Sequence, residues 1–142
     1  MVWIYGGGNR VGHAGFYNGE QLAQQQNVIV VTFNYRVSMM GWLRHAALRA
    51  GSVTKREASG NFGTLDQIAA LRWVQQNIKY FGGDANKVTI FGESAGARNV
   101  MALLASPISK GLFHGAIAQS GDASKLVLHE AENFIDDNVP GV

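Results

Sequence analysis

Val88-Thr89-Ile90-Phe91-Gly92-Glu93-Ser94-Ala95-Gly96 is the stretch on which the reading of this chain turns. The β-branched and aromatic residues from Val88 to Phe91 predict a short strand. That run ends abruptly in Gly-x-Ser-x-Gly, and a helix-compatible segment follows from Ala97 to Ala105. Such a serine, after a strand and before a helix, has the pattern of a nucleophile elbow. The chemistry explains the spacing. The turn is so tight that a side chain two residues before or after the serine would clash. It also lifts the Ser94 hydroxyl out of the sheet, where a base can reach it. The helix behind it brings backbone N–H groups and a partial positive charge to the place where an oxyanion would form. Ser94 is therefore the expected nucleophile. The alternative is an ordinary glycine-rich strand-to-helix turn. The five-residue pattern alone arises by chance, and its position between strand and helix sets it apart.

Upstream, Val2 to Tyr5 predicts another short strand, followed at once by Gly6-Gly7-Gly8. Three glycines let backbone N–H groups face a cavity with no side chain in the way, which is what an oxyanion loop requires. The competing reading is a flexible linker. The apolar run Val28 to Phe33 suits a parallel strand buried on both faces. Gly115 to Gln119 predicts a fourth strand, ending at Ser120-Gly121-Asp122. Between these lie a short helix over residues 19–26 and a longer one in which Leu65, Ile68, Leu71, Val74 and Ile78 recur at helical steps. Ser59-Gly60-Asn61 reads as its start and Gly82-Gly83 as its end. Residues 37–59 form a long connection whose apolar part packs and whose Arg44–Arg56 part is an exposed excursion. A further helix is expected around residues 126–135. Strands alternating with helices predict an α/β fold, a mostly parallel sheet of about four strands with helical crossovers. Ligands in such sheets bind beyond the carboxyl ends of the strands. Gly6 to Gly8, Ser94 and Ser120 to Asp122 all follow strand ends on that side.

Composition narrows the function. The chain has 142 residues, 12 basic and 10 acidic side chains and a net charge of +2. That excess is too small to imply nucleic acid as a partner. No apolar run approaches the ~20 residues of a membrane span. The absence of cysteine excludes disulfides, thiolate metal sites and a cysteine nucleophile. Together with Met1 leading straight into a strand, it makes a cytoplasmic location the expectation. The segment Gly6 to Gly12 lacks a phosphate-loop lysine, and no cluster has metal-ligand spacing, so no cofactor and no metal are expected.

These segments resemble the type-B carboxylesterase family of the α/β-hydrolase fold, which includes the cholinesterases. The residues from Phe81 to Gly96, FGGDANKVTIFGESAG, are similar to its serine signature. IYGGG at Ile4 to Gly8 is similar to its oxyanion strand and loop. NYR at Asn34 to Arg36, SGNFG at Ser59 to Gly63, LDQIAALRWV at Leu65 to Val74 and LFHGAIAQSG at Leu112 to Gly121 occur in the same order. The resemblance implies a partial α/β-hydrolase domain over residues 1–142. It implies hydrolysis of small, short-acyl carboxylic esters through an acyl-enzyme. Ser94 would be the nucleophile, and the N–H groups of Gly7, Gly8 and Ala95 would form the oxyanion hole.

The departures shape further expectations. A complete family member is several times longer, with opening strands ahead of the segment that matches Met1. The acid that pairs with the arginine matching Arg36 belongs to that opening segment, so Arg36 is expected to lack its partner. Arg98 stands where a small residue is usual, and Gly115 where an arginine is common. The triad acid and histidine follow the serine at long distance, and only 48 residues follow Ser94. Among the four histidines, His114 precedes its strand and lies about 16 Å from the active edge; it is expected to pair structurally, with Asp66 as the partner. His45 is expected to face solvent. His13 lies in the oxyanion loop but precedes the serine. Ser94, Asp122 and His129 keep the family's Ser, acid, His order and make the in-chain triad hypothesis. Glu93 is an electrostatic neighbour of the serine. The alternatives are a catalytically incompetent fragment or a non-catalytic, cholinesterase-like binding module. Open sheet edges predict self-association.

Overall fold

Val2 and Ile4 point to one side and Trp3 to the other, as the two-residue period of a strand requires, and they form β1 (Val2–Ile4). The computed structural model describes residues 1–122. β1 pairs in parallel with β2 (Val31–Thr32) on one side and β3 (Thr89–Glu93) on the other. β4 (Gly115–Gln119) pairs in parallel with β3. The sheet order is thus β2-β1-β3-β4. Helices α1 (Glu20–Gln26), α3 (Phe62–Asn77) and α4 (Ala95–Ala105) fall in the crossovers. This is the parallel α/β architecture that the alternation of elements predicts.

The register assigns the two faces. Val2 lies beside Ile90 and Ile4 beside Gly92, and these side chains join Ile68, Leu71 and Val74 of α3 and Val100 and Leu103 of α4 in one buried core. On the opposite face Trp3 lies between Thr32 and Phe91, and Phe91 beside Ile117. Trp3 meets Phe91 edge-on with centroids 4.8 Å apart, and Tyr17 at 5.1 Å. An apolar groove of about 320 Å³ opens there, between these rings and Leu22 of α1.

Three expectations are corrected. The run Val28–Phe33 contributes only Val31 and Thr32 to the ladder and lies at the sheet's edge, partly exposed. The β1–β2 ladder pairs only Val2 with Val31 and Trp3 with Thr32, and Val30 instead lies against Gly19. The Arg44–Arg56 excursion is largely exposed, as expected, and contains a short helix, α2 (Ala46–Ala50), capped by His45 Nδ1, which accepts from the Ala47 N–H. A helical turn over Glu57–Ser59 then leads to Gly60, whose left-handed backbone (φ 72°) brings the chain into α3. Finally, Arg36 has a partner. Its Nε and Nη2 donate to both oxygens of Asp66 at 2.8 and 2.7 Å, and its backbone N–H donates to Asp66 Oδ2 at 2.9 Å. Asp66 therefore does not serve His114, whose Nδ1 accepts from the Val88 N–H. The expected helix around residues 126–135 lies outside the described residues.

Candidate active site

The strand β3 ends at Glu93, and Ser94 takes φ 56° and ψ −121° before α4 begins at Ala95. A side chain rarely adopts this backbone, and the conformation costs on the order of 1–3 kcal/mol. The surroundings over-determine it. The Ser94 N–H donates to Gln119 O of β4 at 2.9 Å, and Ser94 O accepts from the Arg98 N–H at 3.2 Å. A methyl group on Gly96 would stand 2.0 Å from Ile4 O, and one on Gly92 2.7 Å from the same oxygen. Backbone against backbone leaves nothing to yield, so both flanking glycines are steric requirements. Ala95 is buried at the first position of α4, where an N–H has no acceptor within its own helix.

The glycine loop lies beside this turn. A methyl group on Gly6 would meet Glu93 O at 2.7 Å and Ser94 Cβ at 3.2 Å. Only glycine allows β1 to pass this close to the serine. Gly7 adopts φ 106°, and its carbonyl accepts from the N–H groups of Arg10 and Val11, both at 3.1 Å, folding the loop back on itself. Gly8 (φ 65°) faces open space, with nothing within 4 Å of where its side chain would be. On the far side, Gly121 approaches Ser94 O and Ala97, bringing the end of β4 onto the elbow helix. The structure thus brings Gly6–Gly8, Ser94 and the Ser120–Asp122 turn together at the carboxyl ends of the strands.

The titratable neighbours are otherwise engaged. His13 Nδ1 accepts from the Gly15 N–H, capping the turn at Ala14–Phe16, and its Nε2 lies 3.2 Å from Asn34 Nδ2. Asp122 Oδ1 accepts from Arg98 Nε at 2.7 Å, across an exposed ion pair. Among the described residues no histidine hydrogen-bonds the Ser94 hydroxyl, and no group of three or more acidic or histidine side chains could hold a metal ion. His129 lies outside the described residues. No described helix is long and apolar enough to cross a membrane.

Sequence reasoning missed a polar cluster behind the glycine loop. Tyr5 and Tyr35 stack with centroids 4.3 Å apart and exchange bonds crosswise, each hydroxyl donating to the other's backbone carbonyl. Burial pushes both phenols above the usual tyrosine range. Asn99 of α4, 4% exposed, donates from Nδ2 to Asn9 Oδ1 at 2.9 Å and reaches Tyr35 Oη at 3.4 Å. The available signal was an asparagine, a poor helix former, on the buried face of an otherwise apolar helix.

A family model described as the carboxylesterase family matches residues 1–135. The chain is 53% identical over 123 residues to the cocaine esterase of Homo sapiens, covering 87% of this chain and 21% of that protein. It is 52% identical over 122 residues to the fumonisin B1 esterase of Sphingopyxis macrogoltabida, covering 84% and 22% respectively. A solved PNB esterase superposes with a TM-score of 0.82 and 45% identity, over 92% of this chain and 27% of that one. The chain thus spans about a fifth of the length of the curated relatives it matches. Its fold and the order of its segments agree with that match, and the chain belongs to the carboxylesterase family.

Proposed function

We propose that this chain carries the nucleophile and oxyanion-binding part of a serine carboxylesterase acting on small, short-acyl esters. Ser94 Oγ attacks the ester carbonyl carbon and gives its proton to a base. The carbonyl oxygen becomes an oxyanion, held by the N–H groups of Gly7, Gly8 and Ala95. Collapse expels the alcohol, which takes up that proton, and leaves an acyl-serine; attack by water then releases the acid and restores Ser94. The observation that carries this reading is the strained turn at Ser94, locked by Gly96 against Ile4 and placed beside Gly6. Strain of this kind persists where a fold over-determines it. Family membership supports the reaction class.

No described histidine reaches Ser94, so the base is drawn from outside residues 1–122, and His129 is the in-chain choice. That same observation favours a second reading, a non-catalytic module that retains the elbow. The two differ in covalent labelling by a fluorophosphonate and in p-nitrophenyl butyrate hydrolysis. The catalytic reading expects wild-type labelling and turnover, both abolished in Ser94→Ala, and lost turnover in His129→Ala. Wild type and Ser94→Ala both matching the buffer blank would overturn the catalytic reading and leave a catalytically incompetent fragment or a non-catalytic module. Exposed edges at β2 and β4 support self-association as a further part of the proposal.

A further inference from the structure

The glycine loop has few bonds of its own that tie it to the elbow. Gly7 O closes the loop internally, and the side-chain position of Gly8 faces open space. Its two flanks, however, reach the same cluster. On the upstream flank, Tyr5 O accepts from the Tyr35 hydroxyl. On the downstream flank, Asn9 sits in a left-handed backbone (φ 58°), and its carbonyl accepts from the Ser38 N–H. Its side-chain amide pairs reciprocally with Asn99, Nδ2 of Asn99 to Oδ1 of Asn9 at 2.9 Å and the reverse bond at 3.4 Å. Asn99 also approaches Tyr35 Oη, so both flanks meet at one side chain. That side chain stands on α4, five residues beyond Ser94 and inside the core.

We propose that Asn99 is a positioning residue. Through Asn9 and Tyr35 it clamps the Gly6–Gly8 loop to the helix that begins at the nucleophile, so that loop N–H groups and Ser94 keep a fixed separation. The proposal rests on the esterase reading for its chemical consequence, but the clamp itself is a structural claim. A buried asparagine earns its place only when its donors and acceptor are matched. Here Oδ1 accepts from Asn9, and the two Nδ2 protons go to Asn9 and Tyr35. Donors aimed at an oxyanion must be placed before the reaction, because misplacement by ~1 Å costs up to about 100-fold in rate.

The test compares wild type with Asn99→Ala, Asn9→Gly and Asn9→Asp. Glycine accepts the left-handed backbone at position 9 without the side chain, and aspartate keeps the acceptor for Asn99 Nδ2. Backbone hydrogen exchange is followed over Gly6 to Arg10 and, as a control, over β3. Fluorophosphonate labelling of Ser94 is timed in parallel. The clamp predicts that Asn99→Ala and Asn9→Gly each speed loop exchange about tenfold with β3 unchanged, and slow labelling by about tenfold. Asn9→Asp, which keeps the 2.9 Å bond and loses the return bond to Asn99 Oδ1, should fall between wild type and Asn9→Gly, and the Asn9→Gly/Asn99→Ala double variant should be no worse than either single. Unchanged loop exchange overturns the clamp, as does acceleration spread equally over β3, or additive effects in the double variant. If Asn99→Ala fails to fold, the Asn9 pair decides alone. Absence of labelling in wild type defeats the esterase reading instead, and the exchange data still decide the clamp.

Discussion

Ser94 holds a backbone conformation that glycine would adopt freely, and it does so with a Cβ and a hydroxyl attached. Replacing it separates the cost of that Cβ from the value of the hydroxyl. Ser94→Ala keeps the Cβ and the strain, whereas Ser94→Gly releases it, against a loss of ~0.5–1 kcal/mol from the freer unfolded chain. Ser94→Gly is expected to be about 1 kcal/mol more stable than Ser94→Ala in urea unfolding. Equal stability, or the reverse order, would show that the turn is relaxed. Either variant removes the hydroxyl, so the comparison reports on backbone alone. The local sequence announced this residue because the glycine spacing is a steric rule that acts within five positions. It did not announce Asn99, whose meaning depends on Asn9, ninety positions away.

Among the elements, α3 and the segment that follows β2 are joined by the Arg36–Asp66 pair. Burial works against ionisation of Asp66, but hydrogen bonds from the Arg36 side chain and backbone more than offset it and hold the carboxyl below the usual aspartate range. A carboxyl with a lowered folded-state pKa stabilises the fold above the ordinary aspartate range and loses that contribution as pH falls through its folded value. The guanidinium is half exposed, so the pair is worth only about 1 kcal/mol. Asp66→Asn should therefore unfold at lower urea than wild type at pH 7, and the difference should shrink toward pH 3. A gap independent of pH would place the effect in packing instead. Long periodic elements such as α3 and α4 were legible because their core spacing repeats over several turns. β2 and α2 were not. β2 has two residues and α2 five, too few for a period to show. The family resemblance misplaced the partner of Arg36, because sequence alone does not report that Asp66 lies within 3 Å of its side chain.

For the molecule as a whole, the sheet is covered on one face and partly bare on the other. Among the described residues β4 is an edge strand exposed along most of its length, and Ile117 keeps 44% of its surface in contact with solvent beside Phe91. Unpaired N–H and C=O groups next to apolar surface are a template for a second chain. Sedimentation is expected to show concentration-dependent association, and Ile117→Lys to weaken it by about tenfold. A monomer at all concentrations would show that the edge is protected in solution.

The position of β1 within the sheet has a further consequence, for the order of events in folding. β1 is central, yet its neighbour β3 lies some ninety residues later, and Val2 pairs with Ile90. That loop must close before the middle of the sheet exists, and closure over such a span is slow compared with local helix formation. During synthesis β1 stays unpaired on that side until β3 has emerged. β3 runs directly into the turn at Ser94, so the pairing that closes the middle of the sheet also places that turn.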